Sequence, residues 1–203
     1  MINIDKFISI YKQHYNINTK QQQGILNILN NFNNDLLVNQ SIPRMAYILA
    51  TIFWETDQKM FPSKEVRQIR TDTPRRKQVR KLQDRYWYTG FYGRGYCHLT
   101  WLANYRMMSK VLVDEAPDGT YVNSQFLVLK PDLAYDPDIS YKIIVLGMLR
   151  GCFNGKRHGL GHYVDKTPPD YVGARYTVNI QDQAQAIADI AKRFEGWIKD
   201  CWE

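Results

Sequence analysis

Three groups of residues in this sequence could carry chemistry: one carboxylate, one glycine-rich aromatic segment and one basic stretch. Glu55 ends a nearly unbroken apolar run, Met45 to Trp54, inside PRMAYILATIFWETD. A carboxyl half-sunk in apolar surroundings has a raised pKa and can stay protonated near neutrality, as a general acid must. Its plainer reading is the last solvated turn of a core helix. In FYGRGYCHLTWLANY, residues 91–105, Gly93 and Gly95 flank Arg94. Backbone there can approach a ligand closely while a guanidinium is held between the glycines. Phe91, Tyr92, Tyr96 and Trp101 offer flat faces of the kind that sugars and bases both stack on. Thr100 and Asn104 lie four apart, so on a helix a hydroxyl and an amide point the same way.

The net charge is +7, and most of it is concentrated. Between Lys64 and Arg85 nine basic residues face three acidic ones, Glu65, Asp72 and Asp84. Such a field attracts a polyanion, whether nucleic acid, anionic membrane or anionic wall; the alternative is a solvated charged face. His158 and His162 have helical spacing, but Gly159 and Gly161 argue for a loop, and no Cys pair or carboxylate accompanies them. No metal site and no cofactor are expected. Cys97 and His98 are adjacent and so face apart, which makes Cys97 a buried thiol rather than a nucleophile. The odd set Cys97, Cys152 and Cys201 suits free thiols in a reducing compartment.

The elements that must position these groups are mostly helices. A chain of 203 residues with 44% hydrophobic and 23% charged residues fits one globular domain. No apolar run approaches a membrane span, and the first residues do not resemble a signal peptide. Periodicity predicts a helix over 5–15, and a second from Thr19, with Gln22 as its capping-box partner, through Leu36 and Leu37. A third, buried on all sides, runs from Pro43 to Asp57. Residues 61–92 read as a long surface loop with a short exposed helix over 75–84 and a small hairpin around Gly90. Helical character returns over 96–113, residues 114–125 are loop, and Asp136 caps a helix that opens with Pro137. Residues 154–161 read as exposed, and the last helix starts near Asn179 with Asp182 at its third position. The expected class is mainly α (α+β), helical with at most a small β-hairpin. It is organised as N-terminal helices over 1–40 and a core over 41–203, with no separate binding module.

An apolar helix ending in Glu-Thr, a variable loop, then YGRGY-x-x-LTW-x-x-NY resembles glycoside hydrolase family 19. That family includes chitinases and phage endolysins of lysozyme-like fold. Its His-Glu-Thr is matched by Trp54-Glu55-Thr56, which implies that Glu55 is the catalytic acid. Thr100 matches the residue that helps hold the attacking water, and Asn104 a substrate-binding Asn. Arg94, Tyr96, His98, Trp101 and Asn179 are further substrate-binding candidates, with Arg94 and Asn104 holding the sugar or the loop. KPDLAYDPDISYKIIVLGML and the segment 171–197 resemble the family's later helices. The chain departs from the pattern at Trp54, at Asp57-Gln58, at His98 and at Ile180, and these changes lean toward the lysin branch. An inverting glycosidase needs a second carboxylate roughly 6.5–9.5 Å from the first, with a water between. Pro62-x-x-Glu65 resembles the lysin pattern, so Glu65 is the first candidate base, with neighbouring Lys64 and Arg67 expected to keep it ionised. Asp72 and Asp84 remain open.

The resemblance implies a lysozyme-type, peptidoglycan-degrading endolysin acting on the anionic bacterial cell wall. It would be a monomer, with no nucleic-acid partner and no stable membrane insertion. It would be held in the host cytoplasm until released, or be carried in a virion. The alternatives are a chitinase, a basic nucleic-acid-binding protein and a non-catalytic wall-binding protein.

Overall fold

The computed structural model describes residues 1–116, 119–155, 158–179 and 181–203, and of Asn154 only the backbone. The chain is mainly helical, with nine α-helices and a two-stranded antiparallel sheet among the described residues. No described helix is long and apolar enough to cross a membrane. The chain divides into two compact units, Met1–Phe61 with Ile144–Glu203, and Pro62–Ile143.

The first unit is built on α3, Ile42–Glu55, which packs along α9, Ala184–Asp200. Ser41 accepts from the Arg44 N–H, and Pro43 sits in the first turn, where its missing donor costs nothing. Met45 through Phe53 are buried, so the helix is apolar all round because it is enclosed all round. α1, Ile4–His14, adds Phe7 and Tyr11 to a ring cluster with Phe53, Phe194 and Trp197. Asn33 of α2, Thr19–Asn34, bonds the backbone of Ile2 at both its N–H and its carbonyl. α1 therefore shares a ring cluster with α3 and α9, and α2 is tied to the chain's first residues.

Several boundaries differ from expectation. The cap of α2 is Asn18 with Gln21, one residue earlier than Thr19 with Gln22. Asn ranks above Thr as an N-cap, and here Asn18 and Gln21 satisfy each other's backbone N–H groups. α2 stops at Asn34, and Leu36 and Leu37 lie exposed in the turn beyond. α9 begins at Ala184, five residues after Asn179, behind Gln183 in a left-handed conformation (φ 58°). α8, Leu160–Val164, occupies part of the stretch expected to be loop, and Lys156 and Arg157 lie outside the described residues.

In the second unit the strands are β1, Ser63–Lys64, and β2, Arg94–Gly95, paired Ser63 to Gly95 and Lys64 to Arg94. The hairpin expected around Gly90 does not form. A 3-10 turn spans Trp87–Thr89 and ends on Gly90 in the left-handed region, which turns the chain without pairing it. α4, Pro74–Asp84, is the short exposed helix, capped by Thr73. α5, Leu102–Asp114, starts six residues later than 96, because residues 96–101 close a tight loop bridged from Arg94 to Leu99. Of the loop expected over 114–125, Pro117 and Asp118 lie outside the described residues. A short α6, Phe126–Leu129, follows. α7, Pro137–Leu149, begins as read, with Asp136 accepting from the N–H groups of Asp138 and Ile139.

Burial leaves a measurable signature at alkaline pH. It pushes the phenols of Tyr47, Tyr96 and Tyr171 well above the ordinary 10.0, and that of Tyr105 up to about 12 against the hydrogen bond from Arg94. The folded state keeps these protons to higher pH than the unfolded chain does. The associated stability is therefore whole below pH 10 and falls as pH rises toward 12, by about 1.4 kcal/mol per pH unit for each such tyrosine. Denaturant midpoints should be flat to pH 9 and drop steeply above 10. A flat profile through pH 11 would show these phenols ionising freely in the native state.

Candidate functional site

Glu55 is the last residue of α3, and the turn after it is unusually fixed. Thr56 donates its hydroxyl to Ile52 O at 2.7 Å and accepts from the Met60 N–H at 3.1 Å. Asp57, Gln58 and Met60 all have positive φ, at 51°, 63° and 61°. Non-glycine residues there cost of order 1 kcal/mol or more each, and such strain gathers at functional sites. The Glu55 carboxylate is not left among apolar groups alone. Its Oε1 accepts from Arg175 Nη1 at 2.7 Å, across 120 residues of sequence. The Arg175 side chain is 3% exposed and that of Glu55 20%, so a buried guanidinium orients a carboxylate that still reaches solvent. Arg175 Nε donates in turn to the Asp182 carbonyl at 3.0 Å, and Arg175 O accepts from the Asn179 N–H. Asn179 itself is exposed, and Ile180 lies outside the described residues. An open concavity of about 330 Å³ lies beside this turn, lined by Phe53, Trp54, Asp57 and Gln58.

Sequence reasoning did not single out Arg175. The signal was present only as an arginine in GARYTVN, within the segment that resembles the family's C-terminal pattern. Nothing local tells that this arginine is buried.

In the second unit Glu65 is held by three donors. Its Oε1 accepts from Tyr86 OH at 2.6 Å and Gln83 Nε2 at 2.8 Å, and its Oε2 from the Gly93 N–H at 2.9 Å. The expected cationic neighbours are engaged elsewhere: Lys64 pairs with Asp132, and Arg67 with Asp84. Residues 64 and 65 sit at the end of a strand, where consecutive side chains leave opposite faces. The other two loop acids are tied up by arginines, Asp72 by Arg76 and Asp84 by Arg67 and Arg80. Those hydrogen bonds hold the Asp84 carboxyl below its ordinary range, Arg67 contributing most.

The glycines of the Gly-Arg-Gly segment make room for protein. A Cβ on Gly93 would meet His98 Cβ at 3.0 Å and Glu65 at 3.2 Å. One on Gly95, which has φ 87°, would meet Ser140 Oγ at 2.5 Å. Arg94, read as holding either the sugar or the loop, is buried. Its Nε donates to Asp132 at 2.7 Å, and Nη1 reaches the carbonyls of Gly90 and Tyr92 and the hydroxyl of Tyr105. It organises the loop from within. Tyr96 is 1% exposed and belongs to the core, so its face is closed to a sugar.

The other candidates of this segment remain accessible. His98 Nε2 lies 2.8 Å from Ser63 Oγ, with the ring half-buried and the backbone left-handed (φ 50°). Trp101, also left-handed (φ 76°), is exposed and meets Tyr86 edge-on at 4.9 Å. Trp87, by contrast, stacks on Tyr92. Thr100 precedes α5 rather than lying on it; its hydroxyl donates to His98 O at 2.7 Å and keeps its lone pairs for a further donor. Asn104 Nδ2 donates to Thr100 O at 2.9 Å, which leaves the amide oxygen unpartnered among the described residues. The two residues meet through the Thr100 backbone carbonyl, not as a hydroxyl beside an amide on one helix face, because Thr100 lies before the helix and its hydroxyl turns to His98 O.

His158 and His162 stack face to face, ring centroids 3.7 Å apart, instead of converging on a shared point. Among the described residues no group of three or more His, Cys, Asp or Glu could hold a metal ion. Cys97, Cys152 and Cys201 form no disulfide among the described residues; Cys201 is buried, while Cys152 and Cys97, the latter read as a buried thiol, are half-buried. No protein-family model, curated protein or solved structure matches this chain.

Proposed function

We propose that the chain is a glycosidase that hydrolyses the β-1,4 bond between the amino sugars of peptidoglycan, with inversion. The observation that carries this reading is the oriented carboxylate of Glu55. It ends a helix whose central run, Met45–Phe53, is buried, is aimed by a buried arginine and is followed by three strained residues. The resemblance of residues 54–56 and 92–105 to glycoside hydrolase family 19 supplies the reaction class. Glu55 serves as the general acid that protonates the leaving oxygen. Glu65 serves as the base that activates water, being the loop carboxylate that no arginine engages among the described residues. Thr100 offers lone pairs to that water, while Asn104, Trp101, His98 and Asn179 are the candidates for holding sugar. Arg94 and Tyr96 act behind the surface, by fixing the loop that carries the others. Peptidoglycan is preferred to chitin because Trp54, Asp57, Gln58 and His98 replace residues of the chitinase pattern.

Product analysis tests the reading. Purified peptidoglycan digested by the protein should show new reducing ends on muramic acid and no new amino groups. Reducing ends on glucosamine would move the cleaved bond, and released amino groups would overturn glycosidase chemistry altogether.

A further inference from the structure

α4 and the stretch before it carry both charge and exposed apolar surface. Only Gln83 of α4 is buried. Its amide bonds Val66 O and the Gln68 N–H, and Arg80 Nη1 donates to Gln68 O, so residues 66–68 are tied alongside the helix. Arg76, Arg80 and Gln83 form the helix's inner stripe, at helical spacing. The neighbouring stripe is Arg75, Val79 and Leu82. Val66, Ile69, Val79, Leu82 and Tyr88 are between 39% and 83% exposed, five large apolar side chains within 23 residues. Around them Arg70, Arg75, Lys77 and Lys81 have no carboxylate partner among the described residues. A soluble polyanion is met by charge alone and gives no reason to keep five apolar side chains in water. A bilayer surface offers phosphate at the depth of the charges and acyl chain at the depth of the aliphatics, and long basic side chains span both.

We propose that the segment Val66–Tyr88 docks on the surface of an anionic phospholipid bilayer, lying in the interface without spanning it. The full chain should co-sediment with vesicles of phosphatidylcholine containing phosphatidylglycerol at physiological ionic strength, and not with phosphatidylcholine alone. Lys77→Gln and Lys81→Gln should each weaken the partition by about fivefold. Val79→Ser with Leu82→Ser should weaken it by about tenfold or more, through lost apolar burial. All four side chains are exposed, so these substitutions should leave the melting temperature unchanged. Equal binding to both vesicle types, or none to either, overturns the proposal. Undiminished vesicle binding by the Val79/Leu82 double variant also overturns it, and marks the segment as a face for polyanions or for protein. Glu55→Gln should bind vesicles as the parent chain does, so loss of the glycosidase reading leaves this one standing.

Discussion

Glu55→Gln is expected to abolish clearing of permeabilised cells, by roughly 10²–10⁴-fold in rate as for loss of a general acid or base, with the fold intact. The choice of glutamine matters because Arg175 is buried. Glutamine keeps an Oε1 that can accept from Arg175 Nη1, where the carboxylate now accepts at 2.7 Å. Glu55→Ala removes that acceptor and strands a guanidinium whose side chain is 3% exposed. Breaking a buried pair from one side costs about 3–5 kcal/mol, so the alanine variant should melt early and say little about catalysis. Arg175→Met should lose activity as well, and cost less stability, because the Glu55 carboxylate it leaves behind still reaches solvent. Removing both partners, as Glu55→Leu with Arg175→Met, should recover most of the stability and none of the activity. The measurements are denaturant midpoints and turbidity on the same preparations. A Glu55→Gln protein that folds and clears cells at the parent rate removes the proposed mechanism.

What the sequence made legible was mostly local. The core helix is written in the nearly unbroken run from Met45 to Trp54 after Pro43, and the start of α7 in Asp136-Pro137. Each depends on neighbours within a turn or two, which periodicity and capping encode. The start of α9 was misjudged because Asn179 and Asp182 look like a cap, whereas the Asp182 carbonyl serves Arg175. That demand comes from tertiary structure. The same holds for Glu65: its donors come from Gln83, Tyr86 and Gly93, and the cations beside it in sequence turn to other acids. Gly93 and Gly95 suggest room for a ligand, whereas His98, Glu65 and Ser140 are what come close, and nothing in a glycine tells whether ligand or protein fills the space. Glycines report that room is needed; the fold decides for what.

Arg94→Met is expected to destabilise the chain by about 2–4 kcal/mol, although its ion-pair partner is largely exposed to solvent. Asp132 has 66% of its side chain exposed against 5% for Arg94. The Asp132 carboxyl is held below its ordinary range by Lys64 first and Arg94 second. A pair with one end in water contributes about 0–1 kcal/mol, so Asp132→Asn should be nearly neutral. The same sign follows for pH: the Asp132 contribution is present above the ordinary carboxylate range, is lost as pH falls through its lowered folded value, and is small throughout. The larger cost of losing Arg94 lies on its other side. Nη1 is within 2.9–3.1 Å of Gly90 O, Tyr92 O and Tyr105 OH, and the guanidinium lies 3.9 Å from the Tyr92 ring centroid. Methionine fills the volume but donates to none of them: Tyr92 O keeps the Tyr105 hydroxyl as its donor at 2.9 Å, so Gly90 O is the acceptor left bare, at about 1–3 kcal/mol, and the cation on the Tyr92 ring is lost as well. Arg94→Lys keeps the charge and loses the planar fork, so it should fall between the two. Because the loop from Gly90 to Tyr96 carries the Gly93 N–H that holds Glu65, activity should fall with Arg94→Met even below its melting temperature. If Asp132→Asn proved as costly as Arg94→Met, the loop would be held by the surface ion pair and not by the guanidinium's inner contacts with Gly90, Tyr92 and Tyr105.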